Sequence, residues 1–287
     1  VAGALVDARH RLRAAGIEDA NHEARLLLGH AADLDATAII SHPERHLSLE
    51  VMRIMADVSD RVRRRSMAQV TGTREFWSLP FRVTSMTLDP RPDSAAIIGA
   101  VLAHVGDSRA PYKVLDLGTG SGCLLLALLS ELPNALGLGT DICAKAISVA
   151  ASNAGILGYG KRARFAVVNW DRGLNGQFDI IVCNPPYIPS SDIDLLPPEI
   201  SCYEPRRALD GGRDGLDAYR ALASSLARLL TRRGFAAVEI GAGQRSVVEN
   251  IFADARLAIA ACVADLSGIP RCLVVRIKTE LTQWTYK

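Results

Sequence analysis

The chain has 287 residues, 49% of them hydrophobic and 22% charged, which is typical of a globular protein with one or two domains. Its formal net charge of +2 gives no electrostatic reason to expect a nucleic-acid or membrane partner. No apolar run reaches the ~18 residues of a membrane-spanning helix, and the charged N-terminal segment is unlike a signal peptide. The six cysteines contain no C-x-x-C pair, which favours reduced thiols in a cytoplasmic protein over disulfides or zinc.

Residues 1–72 are predicted to form a small helical bundle. Apolar side chains recur there at helical spacing, as at Val51, Ile54, Met55, Val58 and Val62. Residues 73–92 alternate aromatic and β-branched residues with polar ones and contain several prolines, which predicts a short β-hairpin linker. Asp93 or Ser94 is then placed to cap the N-terminus of a helix over 95–105.

From Tyr112 onward, strand and helix patterns alternate. Strands are predicted at 112–118, 135–141, 163–169, 178–184, 235–241, 257–265 and 271–277. Helices are predicted at 123–132, 143–157, 218–230 and 245–255, with Gly234 ending the third. This alternation predicts an α/β fold with a seven-stranded, mostly parallel sheet and helices on both faces. The last two strands have no helix between them and should form an antiparallel hairpin at the sheet edge.

A glycine-rich loop, DLGTGSG at 116–122, follows the first of these strands and opens a helix. Its glycines are spaced G-x-G-x-G rather than G-x-G-x-x-G, so alone it is a weak signal, and a tight structural turn is the alternative. Asp141 ends the next strand, where an acidic side chain can accept hydrogen bonds from both ribose hydroxyls. No Lys or Arg lies in the loop to meet a diphosphate. The combination favours S-adenosylmethionine over NAD.

The fourth strand ends in a rigid elbow, Asn184-Pro185-Pro186-Tyr187. In a doubly wound sheet this strand lies beside the first one, so Asn184 should face the same crevice as the glycine loop. The Asn184 side-chain oxygen and the Pro185 carbonyl could accept the two hydrogens of a planar NH₂ group. That would hold its nitrogen in line with a methyl donor, while Tyr187 stacks on the group. A proline-rich turn closing a strand is the alternative.

Together, the loop, Asp141, the elbow, EFWSLP and PRPD resemble the HemK/PrmC family of protein-(glutamine-N5) methyltransferases. The resemblance covers almost the whole chain and includes EIGAGQ and LSGIPR. It implies a helical substrate-binding domain over 1–72, the hairpin linker over 73–92, and a class I, Rossmann-like methyltransferase domain over 93–287. The family's substrates are peptide chain release factors, methylated on the glutamine of a Gly-Gly-Gln loop, so the resemblance implies a role in translation termination.

The resemblance also implies a role for individual residues. The cofactor S-adenosylmethionine, which leaves as S-adenosylhomocysteine, would be held by Gly118, Thr119, Gly120, Ser121, Gly122, Asp141, Asn169, Trp170 and Asn184. The substrate glutamine would be held by Asn184, Pro185, Pro186 and Tyr187. No metal ion, no membrane and no direct nucleic-acid contact is expected, and the protein is expected to be a monomer.

The sequence departs from the family pattern at the rim of the expected cofactor site. Ser94 and Ala95 stand where Thr and Glu are usual, Asp89 where the family has an apolar residue, and Asn169 where it has Asp. Two other functions therefore stay open. One is a methyltransferase-fold binding protein that has lost its cofactor. The other is an N6-adenine nucleic-acid methyltransferase, which shares the Asn-Pro-Pro-Tyr elbow but needs a basic cleft.

Three further segments have structural and functional interpretations. The arginines of 61–65 are predicted to form a solvated helix end, with an RNA or acidic protein surface as the alternative. Phe76 and Trp77 are predicted to pack between the two domains, or else to shape the substrate channel. The glycine-rich segment 205–215 is a candidate substrate lid.

Overall fold

The computed structural model describes residues 1–47 and 50–278, so the end of the predicted catalytic domain, 279–287, lies outside the described residues. The chain divides into two compact units. The first comprises Val1–Thr73 and the distant segment Leu196–Tyr203. The second comprises Arg74–Leu195 and the chain from Glu204 onward.

The helices and strands follow the predicted order closely. The helices are α1 (Ala2–Ala14), α2 (Ala20–Ala32), α3 (Ala36–Ser41), α4 (Glu50–Val62), α5 (Met67–Thr71), α6 (Ala95–His104), α7 (Cys123–Glu131), α8 (Ala144–Ile156), α9 (Pro198–Ser201), α10 (Asp217–Leu229) and α11 (Arg245–Asp254). The strands are β1 (Thr73–Phe76), β2 (Leu79–Arg82), β3 (Lys113–Leu117), β4 (Leu136–Asp141), β5 (Ala163–Val167), β6 (Phe178–Cys183), β7 (Leu230–Glu239), β8 (Leu257–Ala264) and β9 (Pro270–Ile277).

The first unit is a helical bundle built around one apolar core. Leu12 of α1, Leu27 and Leu28 of α2, and Ile54 and Val58 of α4 are fully buried there. Met55 and Val62 pack at the margin of this core, so the apolar face predicted for α4 is the face that it buries. No helix in the described part of the chain is long and apolar enough to cross a membrane.

The basic end of α4 is only partly the solvated surface that the sequence predicts, because Arg63 is exposed but Arg61 is not. Arg61 is buried and makes a two-pronged ion pair with Glu23 of α2, with Nε–Oε2 2.7 Å and Nη2–Oε1 3.1 Å. Its third nitrogen donates to Glu199 of α9 at 3.2 Å, and Glu199 also pairs with Arg64. A buried guanidinium needs such partners, because an unpaired charge in the interior is costly. These bonds attach the inserted segment Leu196–Tyr203 to the bundle.

The second unit is an α/β fold whose described strands form a seven-stranded sheet in the order β5-β4-β3-β6-β7-β9-β8. The pairs from β5 to β7 are parallel, and β9 is antiparallel to both β7 and β8. The predicted fold class and the predicted terminal hairpin are therefore confirmed. One apolar layer packs on each face of the sheet.

The prediction that Gly234 ends the helix before β7 is wrong. Helix α10 ends at Leu229, and Leu230 already pairs with Phe178 at the start of β6. Gly234 lies inside β7, next to an irregularity in the ladder. A Cβ there would lie 2.9 Å from the carbonyl oxygens of Phe178 and Asp179, so the glycine permits close strand approach.

The hairpin β1–β2 turns through Trp77 and Ser78, whose φ angles are +52° and +57°. Two consecutive residues with positive φ give a turn whose twist matches that of the strands. Phe76 packs edge-on against Phe81 in the core of the second unit, and Trp77 Nε1 donates to Glu131 at 2.7 Å. These two rings therefore pack in the core of their own unit, and the predicted packing between domains stays a prediction.

Candidate active site

The glycine loop connects β3 to α7 and is held by backbone hydrogen bonds from the neighbouring strand. The amides of Gly118 and Thr119 both donate to the carbonyl of Thr140, at 2.9 and 2.8 Å. The Thr119 hydroxyl donates to the buried carboxyl of Asp116 at 2.6 Å. Burial is the main reason that the pKa of Asp116 rises to about 7. The loop is thus anchored from both sides before any ligand binds.

The three glycines of the loop differ in what they make possible. Gly118 and Gly120 have φ angles of +76° and +54°, and a Cβ on either would meet nothing within 4 Å. Their backbone therefore stands open to a ligand. Gly122, at φ +83°, is different, since its Cβ would lie 3.2 Å from the Ala150 Cβ of α8. Gly122 allows the loop to approach α8 closely, and it does not line the cavity described below.

Asp141 ends β4, and its carboxylate holds the glycine loop by a hydrogen bond. Its Oδ2 accepts from the Gly120 amide at 3.0 Å, and its Oδ1 accepts from the Cys143 amide at 2.8 Å. Each carboxylate oxygen can accept a second hydrogen bond. Asp141 is only half-buried and lines the cavity, so both the loop and a ligand can share it.

The elbow after β6 presents Asn184 to the same cavity. The Asn184 Nδ2 donates to Ser94 Oγ at 3.0 Å, which leaves the amide oxygen as the free end. Among residues 1–47 and 50–278, no group donates to Asn184 Oδ1 or to the Pro185 carbonyl. The two acceptors on which the predicted amide clamp depends are therefore available.

Tyr187 is held away from the cavity wall by a separate set of bonds. Its hydroxyl donates to Glu239 Oε1 at 3.3 Å, and its carbonyl accepts from Gln244 Nε2 at 3.0 Å. Gln244 Oε1 accepts in turn from the Tyr219 hydroxyl and the Gly241 amide, both at 3.1 Å. The Tyr187 ring packs against the core behind the elbow. These bonds fix the shape of the elbow, and the stacking of the Tyr187 ring on the substrate amide stays a prediction.

A cavity of about 310 Å³ joins these elements, and its volume lies within the usual range of small-molecule sites. Of the predicted cofactor and substrate residues, it is lined by Gly118, Thr119, Gly120, Ser121, Asp141, Asn169, Trp170, Asn184 and Pro186. Gly122, Pro185 and Tyr187 are outside the lining. Trp170 has a φ of +53°, a strained conformation for an aromatic residue and one that often occurs at binding sites.

The residues that depart from the family pattern fall on both sides of the cavity boundary. Asp89 and Asn169 line it, whereas Ala95 does not. The charged residues of the lining are Arg91, Arg207, Asp89 and Asp141, two of each sign. The cavity is therefore not the basic cleft that a nucleic-acid methyltransferase needs.

No pattern in the sequence predicts the groups that support Asn184. Ser94 occupies the N-cap position of α6 but makes no capping hydrogen bond; its hydroxyl donates to Glu239 Oε2 at 2.6 Å instead. Glu239 lies at the end of β7, is buried, and has its pKa raised to about 7, chiefly by that burial. Its signal in the sequence is an acidic residue ending an otherwise apolar strand, at the start of EIGAGQ.

The segment 205–215 packs onto the residues that follow the elbow. The Ile188 amide donates to the Leu209 carbonyl at 3.0 Å, and the Gly211 amide donates to the Ile188 carbonyl at 2.8 Å. Arg207 and Ala208 of this segment line the cavity. Its role as a substrate lid stays a prediction.

Comparison with known proteins relates both units to one family. Residues 3–72 match the PrmC N-terminal domain, and residues 94–196 match the methyltransferase small domain. A release factor glutamine methyltransferase of Rhodospirillum rubrum is 44% identical over 96% of this chain and 85% of its own length. One of Bradyrhizobium diazoefficiens is 43% identical over 93% of this chain and 91% of its own length.

The solved structure of a ribosomal protein L11 methylase from Lactobacillus delbrueckii subsp. bulgaricus shares the fold. It has a TM-score of 0.52 and 19% identity, over 69% of this chain and 86% of that one. The fold, the two matched domains and the two relatives all indicate the same family. This chain belongs to the family of release factor glutamine methyltransferases.

Proposed function

We propose that this protein transfers a methyl group from S-adenosylmethionine to the side-chain amide nitrogen of the glutamine in the Gly-Gly-Gln loop of release factors. Its main support is a pair of free acceptors, Asn184 Oδ1 and the Pro185 carbonyl. They lie beside a cavity formed by the glycine loop and Asp141. Full-length relatives named for this activity also support the proposal.

The residues around the cavity fit S-adenosylmethionine. Gly118 and Gly120 leave open space above their backbone, where the methionine part would lie. Asp141 keeps a free lone pair on each oxygen for the ribose hydroxyls. Asn169 and Trp170 line the wall where the resemblance puts the adenine. When bound, the cofactor supplies an electrophilic methyl group on its sulfonium sulfur.

The chain's own part in the reaction is to aim the substrate nitrogen. The lone pair of an amide nitrogen is delocalised into the carbonyl, so the nitrogen is a weak nucleophile. Asn184 Oδ1 and the Pro185 carbonyl would each accept one of its two hydrogens, which fixes the plane of the NH₂ group and favours its rehybridisation. The proton that leaves on methylation passes from the nitrogen toward these acceptors and then to solvent, and no strong base is needed.

The helical unit would bind the release factor away from the reacting atoms, since it matches the PrmC N-terminal domain. A reducing compartment such as the cytoplasm fits the six cysteines, which are all free thiols. We propose further that the protein works as a monomer.

The test is transfer of a labelled methyl group from S-adenosylmethionine to a purified release factor. The matched control is the same factor with the glutamine of its Gly-Gly-Gln loop replaced. Label on the unaltered factor alone is the expected result. Absence of label, with the cofactor still bound in calorimetry, would point to another acceptor. Absence of both label and binding would favour a protein that has lost its cofactor.

A further inference from the structure

A series of hydrogen bonds begins at Asn184, beside the cavity, and leads from there into the protein interior. The Asn184 Nδ2 donates to Ser94 Oγ at 3.0 Å, and the Ser94 hydroxyl donates to Glu239 Oε2 at 2.6 Å. The other carboxylate oxygen of Glu239 accepts from the Tyr187 hydroxyl at 3.3 Å. Ser94 and Glu239 are both buried, so water does not compete for these bonds.

The number of hydrogens on each group determines which partner donates in each of these hydrogen bonds. A serine hydroxyl has one hydrogen, and Ser94 uses it toward Glu239. Its oxygen can then only accept from Asn184, and only the NH₂ end of the amide can donate. The oxygen end is therefore turned toward the cavity, where the clamp needs an acceptor.

Protonation of Glu239 removes the constraint on the orientation of the Asn184 amide. A protonated carboxyl can donate its own hydrogen to Ser94 Oγ, which frees the serine hydrogen to point at Asn184. The Asn184 amide can then turn by about 180°, accept from Ser94, and present its NH₂ group to the cavity. Two NH₂ groups that face each other cannot form the clamp, because neither nitrogen is an acceptor.

We propose that ionised Glu239 is a positioning residue, which acts through Ser94 to keep the Asn184 amide oxygen facing the substrate. Its effect on turnover rests on the proposed methyl transfer. Its effect on the amide orientation does not depend on that reaction, because the hydrogen bonds exist in the protein alone.

The surroundings of Glu239 shift its ionisation toward neutral pH. Burial raises its pKa to about 7, against the opposing effects of the bonds from Ser94 and Tyr187 and of the Arg271 charge. The titratable and charged groups that interact with it are Tyr187, Arg271, Asp93, Cys272, Cys123, Cys183 and Tyr219. Arg271 is held in place by ion pairs to Asp93 and Asp265.

The first test observes the amide itself in ¹⁵N-labelled protein without cofactor or substrate. The side-chain NH₂ resonances of Asn184, assigned by their loss in Asn184→Ala, are expected to titrate with a midpoint near 7 in the wild type. They are expected not to titrate in that range in Glu239→Gln. Asn153 is the internal control, since its amide bonds only to backbone groups of Arg82 and Ser121 and should not titrate in either protein.

The second test is kinetic. Glu239→Gln is expected to lower kcat by about tenfold at pH 8 while the KM values for cofactor and release factor change by less than about twofold. The rise of kcat through pH 7 should be lost in the variant. Ser94→Ala should cause a similar loss, and the double variant should be no worse than the poorer single one, since both act through the same amide. An unfolding measurement on each variant shows whether a fold defect contributes.

The proposal is overturned if the Asn184 resonances titrate in Glu239→Gln as in the wild type. It is also overturned if Glu239→Gln retains the wild-type kcat and pH profile, or if the losses in Ser94→Ala and Glu239→Gln multiply. If the wild type transfers no methyl group, the proposed function fails and the resonance measurement still decides the role of Glu239. A pH-dependent amide signal with no effect on kcat would show that the orientation does not matter for the reaction.

Discussion

The backbone amide of Gly120 donates to Asp141 Oδ2 over 3.0 Å, so the glycine loop and the acidic residue beneath it hold each other in place. Asp141 also accepts from the Cys143 amide at 2.8 Å, which fixes the carboxylate from its own side of the strand end. A ligand that bonds to Asp141 therefore meets a group whose position is already set, and less of the binding energy is used in ordering it.

Replacing Asp141 tests this double role. Asp141→Ala should weaken S-adenosylmethionine binding by about 1–3 kcal/mol, because it removes the ribose acceptor and leaves the Gly120 amide without its partner. Asp141→Asn, which keeps one acceptor oxygen for Gly120, should lose less. Calorimetry on both variants checks the prediction. An unchanged dissociation constant in Asp141→Ala would remove this residue from the cofactor site.

The packing of the loop onto α8 predicts a loss of stability in Gly122→Ala. Its φ of +83° disfavours any side chain, and the new Cβ would lie 3.2 Å from Ala150 Cβ. We expect the free energy of unfolding to fall by about 2 kcal/mol or more, as measured by chemical denaturation.

Gly173→Ala is the matched control for that change. Gly173 has nearly the same φ, +80°, but a Cβ there would meet nothing within 4 Å. Gly173→Ala should lower the free energy of unfolding by only about 1 kcal/mol, which is the cost of placing a residue with a Cβ at a positive φ. Equal losses in the two variants would contradict a role of Gly122 in the close approach of the loop to α8.

The buried ion pair of the helical unit predicts a marked effect of Arg61→Ala. The change leaves the carboxylates of Glu23 and Glu199 without the guanidinium that both of them contact. We expect the unit to lose about 3 kcal/mol of stability. Arg63→Ala, at an exposed position two residues away, should stay within about 0.5 kcal/mol of the wild type in the same denaturation experiment. A small loss in both variants would show that the sequence-based prediction of a solvated helix end was adequate.

The raised pKa values of buried carboxyl groups predict that stability falls as pH rises. The pKa values of Glu239 and Asp116 are about 7 in the folded protein and near 4 when exposed, so the folded state keeps protons that the unfolded chain releases. Each group therefore destabilises the fold progressively from about pH 4.5 up to its folded pKa. The carboxyl groups with lowered pKa values, such as Asp171 and Asp265, act in the opposite sense below about pH 4.

Glu239→Gln isolates one of these contributions. The amide cannot ionise, so the stability of the variant relative to the wild type should increase between pH 5 and 8, by up to roughly 3 kcal/mol. Denaturation curves at several pH values measure the difference. Parallel pH dependences for the two proteins would mean that Glu239 does not titrate in this range.

The sequence was sufficient for the fold because its signals are local and repeated. Alternating strand and helix patterns predict the sheet, and the missing helix before β9 predicts the terminal hairpin. The glycine loop and the Asn184 elbow follow strands that lie side by side, so the topology alone brings them to one cavity. The register of these elements follows from where each apolar run ends.

The supporting contacts could not be predicted in the same way. Ser94 looks like a helix cap, and only the sheet shows that Glu239, 145 residues later, takes its hydroxyl. Arg61 looks like part of a solvated basic run until α9 brings Glu199 to it from a distant part of the chain. Tyr187 ends the elbow, and its hydroxyl and carbonyl bond to Glu239 and Gln244, which lie 52 and 57 residues later in the chain. Each of these contacts depends on tertiary packing that no local pattern encodes.

Asn184 is expected to act on the substrate nitrogen and to have little effect on the affinity for the cofactor. The most direct measurement compares Asn184→Ala with the wild type in two assays, methyl transfer to a release factor and calorimetric binding of S-adenosylmethionine. We expect turnover in Asn184→Ala to fall at least about a hundredfold while the cofactor dissociation constant changes by less than about threefold. Turnover close to that of the wild type, with normal cofactor binding, would contradict the amide clamp.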